Sequence, residues 1–351
     1  MVPEDEEHMI REALEKLDIR GYELKAYLTI LKLGEETAPT IASKAGIPLP
    51  RIYSVLESLL KKGLIEVRMG RPRKYRALPP RISLIHYVRK RINELTELTN
   101  AVVEKLSSYY QESEGEREPV LWMMYNIDVG VERMRHMITS MDTDGFTSLN
   151  VNVLKKVINT LAKTLAAKKS SIFGIAVISE DIPASIKEIV ERTKNIEVKI
   201  LPTGIVNMFE VDLSNLMLFG KNYVIHSAEW ELIVLANESF YHGYWRLAKK
   251  IKDFDVEKGA TYRTAHHWLA LDIIQKALQN GYNVFAKIKG FKVKTHEPVE
   301  VEGYIKKLLI TNDGGIRSIY IEDKEGNIIS AGGIGASIED IESRYLELTV
   351  Q

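Results

Sequence analysis

The sequence predicts a multidomain α+β protein, and three observations predict it. Between residues 21 and 80, amphipathic helical patterns lead through a glycine-marked turn into a basic hairpin. From 81 to 111 there is no proline or glycine, and apolar residues recur seven apart. From 119 onward strand and helix patterns alternate as far as 252, and a strand-rich pattern fills 259–351. The expected domains are therefore 1–80, 81–111, 119–252 and 259–351.

The segment 48–63, PLPRIYSVLESLLKKG, organises the first domain. On a helical wheel Ile52, Val55, Leu56, Leu59 and Leu60 gather on one side, the spacing of a buried face. Pro50, Ser54, Ser58 and Lys61 lie opposite, with Arg51 and Tyr53 at the borders. Pro50 suits a first helical turn, where its missing N–H costs nothing, and Gly63 suits the position after the last turn. Upstream, Leu24, Tyr27, Leu28 and Leu31 mark a helix, and a short helix from Thr37 (a suitable N-cap) to Ala45 precedes the Gly46-Ile47 turn. Downstream, 64–67 alternates as a strand, 69–73 reads as a loop and 74–77 as a returning strand. Helix, helix, turn, helix and two-stranded wing make a winged helix-turn-helix, with 48–63 as its recognition helix.

Charge points the same way. Thirteen basic residues and two acids lie between Lys44 and Arg91, a net +11 in a chain of formal net charge zero. Such a concentration fits a surface that contacts phosphates, so the expected partner is double-stranded operator DNA. Arg51, Tyr53 and Ser54 are placed to meet base edges, with Lys61 on the same outward face. Arg71, Arg73 and Lys74 of the wing would hold phosphates or enter the minor groove.

Composition narrows the class. With 351 residues and 45% apolar content the chain can build several cores. It has no apolar run near 18 residues and no leader pattern, which predicts a soluble, cytoplasmic protein without a membrane partner. The absence of cysteine excludes disulfides, thiolate metal sites and thiolate nucleophiles. Residues 1–20 hold an acidic start and a short amphipathic helix with Ile10, Leu14 and Leu17.

In 81–111, Ile85, Ile92, Thr99 and Leu106 form one heptad series, and Val88, Leu95, Val102 and Tyr109 a second, offset by three. These are a and d positions of a coiled coil, and a coiled coil of this length predicts a homodimer. Two winged helices held at fixed spacing would read a two-fold symmetric operator. Thr99 is the weak point of the seam.

The polar stretch 112–118, ESEGERE, marks a boundary. Beyond it strands are expected at 119–125, 146–151, 172–178, 196–201, 216–219, 223–226 and 232–236. Helices are expected at 128–141, 153–168, 183–193 and 239–252. This alternation predicts a three-layered α/β domain with a mixed sheet. Asp142 and Asp144 read as turn formers before Gly145, and no P-loop or GxGxxG is present.

In the last domain, 264–280 reads as a helix, and 282–289, 297–311, 316–322, 327–331 and 345–350 read as strands of a small barrel or sandwich. A short helix is expected from Ser337. The stretch 330–342, SAGGIGASIEDIE, is almost free of bulky side chains at its start, so backbone there can approach a ligand. Carboxylates, backbone groups and an aromatic face are what a sugar requires. Asp313 with Gly314, Glu339, and Tyr262, His266 or Trp268 offer these types.

The run ELKAYLTILKLGEETAPTIASKAGIPLPRIYSVLESLLKKGLIEVRMGRPRKYRALPP closely resembles the DNA-binding domain of the TrmB family, archaeal sugar-responsive transcription regulators. The resemblance extends more loosely over the last hundred residues. It implies a C-terminal sugar-binding domain and a mono- or disaccharide effector such as maltose, with no other cofactor and no metal. It further implies sugar contacts at Asp313 and Gly314, at Gly333, Ser337, Ile338 and Glu339, and at Thr264. Ser337 stands where the family has an apolar residue, and Thr264 where it has serine. The resemblance also implies a phospholipase D-like α/β middle domain. The hydrolase chemistry of that fold needs a histidine nucleophile with a lysine two residues on. Here His226 is followed two residues later by Ala228, with Glu229 and Glu231 beyond, so no catalytic residue is assigned. The remaining alternatives are an architectural DNA-coating protein without a sugar response, and a phospholipase D-like hydrolase.

Overall fold

A computed structural model describes residues 4–107, 109, 121–204 and 206–351. The chain divides into two compact units, Met1–Gly115 and Glu116–Gln351. The polar boundary expected at 112–118 lies outside the described residues.

The first unit contains α1 (Glu4–Lys16), α2 (Gly21–Leu33), β1 (Glu36–Thr37), α3 (Ala38–Ala45), α4 (Leu49–Lys61), β2 (Ile65–Arg68), β3 (Lys74–Ala77) and α5 (Pro80–Ser107). Helix α4 buries Ile52, Val55, Leu56 and Leu59, as its periodicity requires. They pack with Leu24, Ala26, Tyr27 and Ile30 of α2 and with Ile41 and Ala42 of α3. Each buried aliphatic side chain contributes about 1.5–3 kcal/mol, which fixes the opposite face toward solvent. Gly46 ends α3 in the left-handed region (φ 64°), and this turn sets the entry of α4. The wing pairs Ile65 with Ala77 and Arg68 with Lys74. It has a third strand that the sequence did not announce, because β1 pairs Glu36 with Tyr75. Thr37 precedes α3, but its hydroxyl meets Thr40 Oγ1 at 3.0 Å and caps no backbone N–H.

Helix α5 joins the winged core only through its first turns, where Ser83 and Tyr87 are buried and the Tyr87 hydroxyl donates to the Leu17 carbonyl at 3.1 Å. Further along, the heptad residues Ile92, Leu95, Val102 and Leu106 remain 44–58% exposed. Thr99, the polar residue at an a position, donates its hydroxyl to the Leu95 carbonyl at 2.7 Å.

The second unit opens with β4 (Trp122–Met124), α6 (Ile127–Ser140), β5 (Asp144–Asn150), α7 (Val151–Ala167), β6 (Ile172–Ile178), α8 (Ala184–Arg192) and β7 (Ile196–Leu201). It continues with β8 (Asn207–Val211), β9 (Asn215–Phe219), β10 (Val224–Ser227), α9 (Trp230–Phe240), a π-turn (Tyr241–Trp245) and β11 (Lys249–Lys252). The eight strands run in the order β11-β7-β6-β5-β8-β9-β10-β4. Strands β5, β6 and β7 are parallel, and β8 joins β5 antiparallel. Leu154, Val157, Ile158 and Leu161 of α7 pack with Ile175, Val177 and Phe209. Phe146, Ile172, Ala176 and Met208 point to the other core, with Phe240, Trp245 and Trp268. Gly174 permits this: a Cβ there would lie 3.2 Å from both Trp245 and Trp268.

Two expectations fail here. Residues 232–236 belong to α9, not to a strand, because Ile233, Ala236, Asn237 and Phe240 are buried at helical spacing. The helix expected over 239–252 ends instead at the π-turn, and β11 adds to the sheet edge by pairing Lys249 with Ile200.

The chain then forms β12 (Thr261–Thr264), α10 (His267–Gln279), β13 (Val284–Lys292), β14 (Pro298–Ile310), β15 (Arg317–Glu322), β16 (Ile328–Gly332) and β17 (Ile341–Val350). The order is β12-β17-β13-β14-β15-β16, and a parallel pairing of Ala331 with Ile341 and Gly332 with Glu342 closes β16 onto β17. The barrel expectation therefore holds over the sandwich. No helix forms after Ser337, because Ile341 is already committed to this pairing; the segment 333–340 is a loop. Leu271, Ile274 and Ala277 of α10 share one core with Ile288, Ile319 and Leu346 of the barrel and with Phe146 and Ala176 of the larger sheet.

Candidate nucleic-acid interface and effector site

On the winged unit, the outward face of α4 exposes Arg51, Tyr53 (57% exposed) and Ser54. Ser54 donates its hydroxyl to the Arg51 carbonyl at 2.9 Å, a local bond that incoming DNA can displace. The cations then divide by what holds them. Lys62 pairs with Glu23 at 2.6 Å and donates to the Asp18 carbonyl, so it serves the fold. Arg68 meets Glu35 at 2.7 Å, Lys61 meets Glu57 at 2.8 Å, and Lys74 lies 3.5 Å from Glu35. Arg51, Arg71 and Arg73 are exposed and make no ion pair among the described residues. Three guanidinium groups are thus left to solvent on the recognition helix and the wing tip.

The C-terminal residues form a second constellation. Gly333, Ser337, Ile338 and Glu339 lie on the loop between β16 and β17. Ser337 and Ile338 (67% exposed) point to solvent, whereas Glu339 is 8% exposed and accepts the Ser318 hydroxyl at 2.6 Å. Gly333 is required by close approach, since a Cβ there would lie 3.1 Å from that of His267. Asp313 and Gly314 form the β14–β15 turn, where the Asp313 carboxylate accepts the Gly315 N–H at 2.9 Å. Gly314 has φ 72°, and a side chain on it would strike the Arg246 guanidinium.

The two loops are joined by residues that the sequence did not single out. Arg246 donates to the carbonyls of Asp313 and, at 2.7 Å, of Asn312. Arg317 lies 3.1 Å from Glu238 and stacks 4.2 Å from the centroid of the Tyr241 ring. His267 is neutral, its pKa lowered to about 3 by burial and then by the charge of Arg317. Its Nε2 faces the Arg317 carbonyl at 2.8 Å and its Nδ1 faces the Ser343 hydroxyl at 2.8 Å. That hydroxyl is also 2.6 Å from the Gly332 carbonyl, so it serves either the imidazole or the glycine backbone at any moment. The density of aromatic and polar residues in YHGYWR, 241–246, was the available signal.

Four sequence-assigned residues do not reach this site. Tyr262 and Trp268 are each 2% exposed and lie in the core; the Trp268 indole N–H donates to Asn237 at 2.9 Å. Thr264 is fully buried, and its hydroxyl bonds the Asp144 carboxylate and lies 3.0 Å from the His266 carbonyl. His266 offers no stacking face, because its ring bridges two buried carboxylates. Its Nδ1 lies 2.8 Å from Asp144 and its Nε2 2.6 Å from Glu210, all three side chains fully buried. The second contact is an ion pair outside hydrogen-bond alignment, since the Glu210 oxygens have no hydrogen-bond partner.

Burial alone would lower the His266 pKa, but the charges of Asp144 and Glu210 raise it to about 10. Burial likewise opposes the Asp144 carboxylate. The charge and bond of His266, with bonds from Thr264 and Ala265, outweigh it and hold Asp144 below its usual 3.8. Burial raises Glu210, and His266 offsets that only in part. Asp144 is therefore no turn former; it anchors the entry to α10. His226, 6% exposed, faces Asn215 Oδ1 at 3.1 Å, and burial and then Arg133 lower its pKa to about 4. Among the described residues no helix is long and apolar enough to cross a membrane.

Comparison with known proteins adds the context. Residues 14–81 match the family described as sugar-specific transcriptional regulator TrmB, and residues 259–351 match the TrmB/TrmBL1 EBD C-terminal subdomain. The HTH-type sugar sensing transcriptional regulator TrmBL1 of Pyrococcus furiosus is 24% identical over 96% of this chain and 97% of its own. The putative HTH-type transcriptional regulator TrmBL2 of the same organism is 31% identical over 28% of this chain and 39% of its own. A solved structure of TrmBL2, described as an archaeal chromatin protein, covers 70% of this chain and 99% of its own at 20% identity. Its TM-score is 0.47, too low for more to be read from it. The exposed arginines lie within the matched N-terminal segment and the 311–315 and 333–340 loops within the matched barrel, so this chain carries a TrmB-type DNA-binding domain and a C-terminal subdomain of the TrmB/TrmBL1 type.

Proposed function

We propose that the protein is a homodimeric, operator-specific regulator whose DNA binding is modulated by a mono- or disaccharide held at the β16–β17 loop. The observation that carries the DNA half is the division of the basic charge. Acids of the winged unit pair with Lys62, Arg68 and Lys61, while Arg51, Arg71 and Arg73 have no ion-pair partner among the described residues and stand on the two elements that a winged helix presents to DNA. Arg51 and Tyr53 meet base edges, and the wing arginines neutralise phosphates. Each phosphate contact releases counterions, so Arg73→Ala weakens binding on all sequences alike. It reduces the slope of log K against log salt by about one. Fluorescence anisotropy of labelled operator from 50 to 300 mM salt reads this, and an unchanged slope removes the wing from the contact.

The sugar half rests on a buried carboxylate, Glu339, beside a glycine backbone, Gly332-Gly333, with Ser318 bonded to it and the Arg317–Tyr241 stack next in sequence to Ser318. Glu339 accepts hydroxyls, as it already accepts that of Ser318. A sugar that binds only the folded protein raises its thermal midpoint, by ~2.7 kcal/mol of stability at about 100 times its Kd. Thermal unfolding against glucose, maltose, trehalose and sucrose tests this. One of them is expected to shift the midpoint in the wild type and not in Glu339→Ala. If none does, the DNA-binding reading stands without a sugar effector.

A further inference from the structure

A cavity of the second unit lies away from both constellations. It is a cleft of about 1220 Å³ beneath the α7–β6 and α8–β7 turns, closed on its third side by 255–263, the segment that enters the barrel through β12. Six cations line it: Lys163, Lys168, Lys169, Arg192, Lys194 and Arg263. Three acids line it too, and each is already engaged. Asp142 lies 3.9 Å from Lys168, Asp255 pairs with Lys252 at 2.5 Å, and Glu257 pairs with Lys194 at 2.7 Å.

Two of the cations have no protein partner. Lys163 and Lys169 are exposed and make no ion pair or side-chain hydrogen bond among the described residues. Cations near helix ends often only offset the macrodipole, but Lys163 stands before the last turn of α7, which has no basic residue. It borders instead a second cavity of about 300 Å³, shared with Lys168 and lined by Thr139, Thr160 and Thr164. Ala162, Leu165, Ala166 and Ile189 give the larger cleft an apolar wall. In the larger cleft, a surplus of positive charge beside an apolar wall suits a small molecule with an anionic group and an uncharged body. Its size admits a sugar phosphate or a nucleotide.

We propose that this cleft binds a small phosphate-bearing metabolite at a second effector site, with Lys163 and Lys169 as its principal cation contacts. The site joins the two parts of the unit. Arg263 donates its backbone N–H to Ser170 at 2.7 Å, and the next residue, Thr264, reaches Asp144. A ligand seated here therefore bridges the larger sheet and the barrel.

Isothermal titration of the full chain with pyrophosphate and with glucose 6-phosphate tests the site, with glucose as the uncharged control. Binding of a phosphate compound is expected in the wild type and in Arg71→Ala/Arg73→Ala, which removes the competing cations of the wing. In Lys163→Glu/Lys169→Glu, affinity is expected to fall roughly tenfold or more. Lys163→Gln/Lys169→Gln keeps the test open should charge reversal disturb folding. No heat from either phosphate compound, equal binding in both lysine variants, or loss of binding only in the wing variant overturns the proposal.

Discussion

Replacing His266 with alanine should destabilise the second unit by about 3–5 kcal/mol, the cost of removing one partner from a buried charge cluster. The imidazolium touches Asp144 at 2.8 Å and Glu210 at 2.6 Å with no solvent access. Without it two carboxylates share a dry cavity. In an Asp144→Asn/Glu210→Gln background the same substitution should cost far less, because no charge is orphaned; urea unfolding of the four proteins closes the cycle. Equal losses in both backgrounds would reduce His266 to a packing residue. The pH dependence follows from the signs. The folded pKa of His266, about 10, stands above its unfolded 6.5. Its contribution is thus complete below pH 6.5 and lost as pH rises through about 10. Asp144, depressed below 3.8, contributes above that value and loses its contribution as pH falls. Wild-type midpoints should decline from pH 6.5 toward 10, and those of His266→Ala should not.

The second large effect is expected on assembly. Leu95→Glu with Val102→Glu should yield a monomer in sedimentation equilibrium. Operator affinity should fall by about 10²–10⁴, since half-sites bound by separate chains lose their effective concentration. Both side chains are largely exposed on α5, 50% and 44%, so neither substitution opens a cavity. A variant that remains a dimer and binds the operator as before would place the pairing surface elsewhere.

How much of this was legible depended on whether local pattern and tertiary packing agreed. Strands β6 and β7 lie at the predicted residues because β6 is a short apolar run and β7 alternates apolar with charged side chains over its first five residues. Helix α4 was legible because its apolar spacing matches one period only. Leu232 to Ala236 is an unbroken apolar run, ambiguous between strand and helix. The burial of Ile233 with Ala236, Asn237 and Phe240 resolved it. Strand β11 was hidden by its sequence KKIK, whose lysines suit a sheet edge and read as a solvated helix. In the candidate sites, the glycines and Glu339 carried a readable signal. The Asp144–His266–Glu210 cluster carried none, because its members are 66 and 56 residues apart in sequence and meet only through the sheet and the entry to α10.

The parallel pairing that closes the barrel gives the 333–340 loop a mechanical character. Residues 333–340 leave β16 at Gly332 and return into β17 at Ile341, where Ala331 pairs with Ile341 and Gly332 with Glu342. The loop is therefore a clasp with both ends fastened, and force applied at Glu339 passes into β17. That strand runs on to pair Leu346 with Thr264 of β12, and Thr264 bonds the carboxylate of Asp144 in the larger sheet. One strand, bulged at Arg344, therefore runs from the clasp toward the charge cluster. The loop and the charge cluster thus act on the same strand from its two ends.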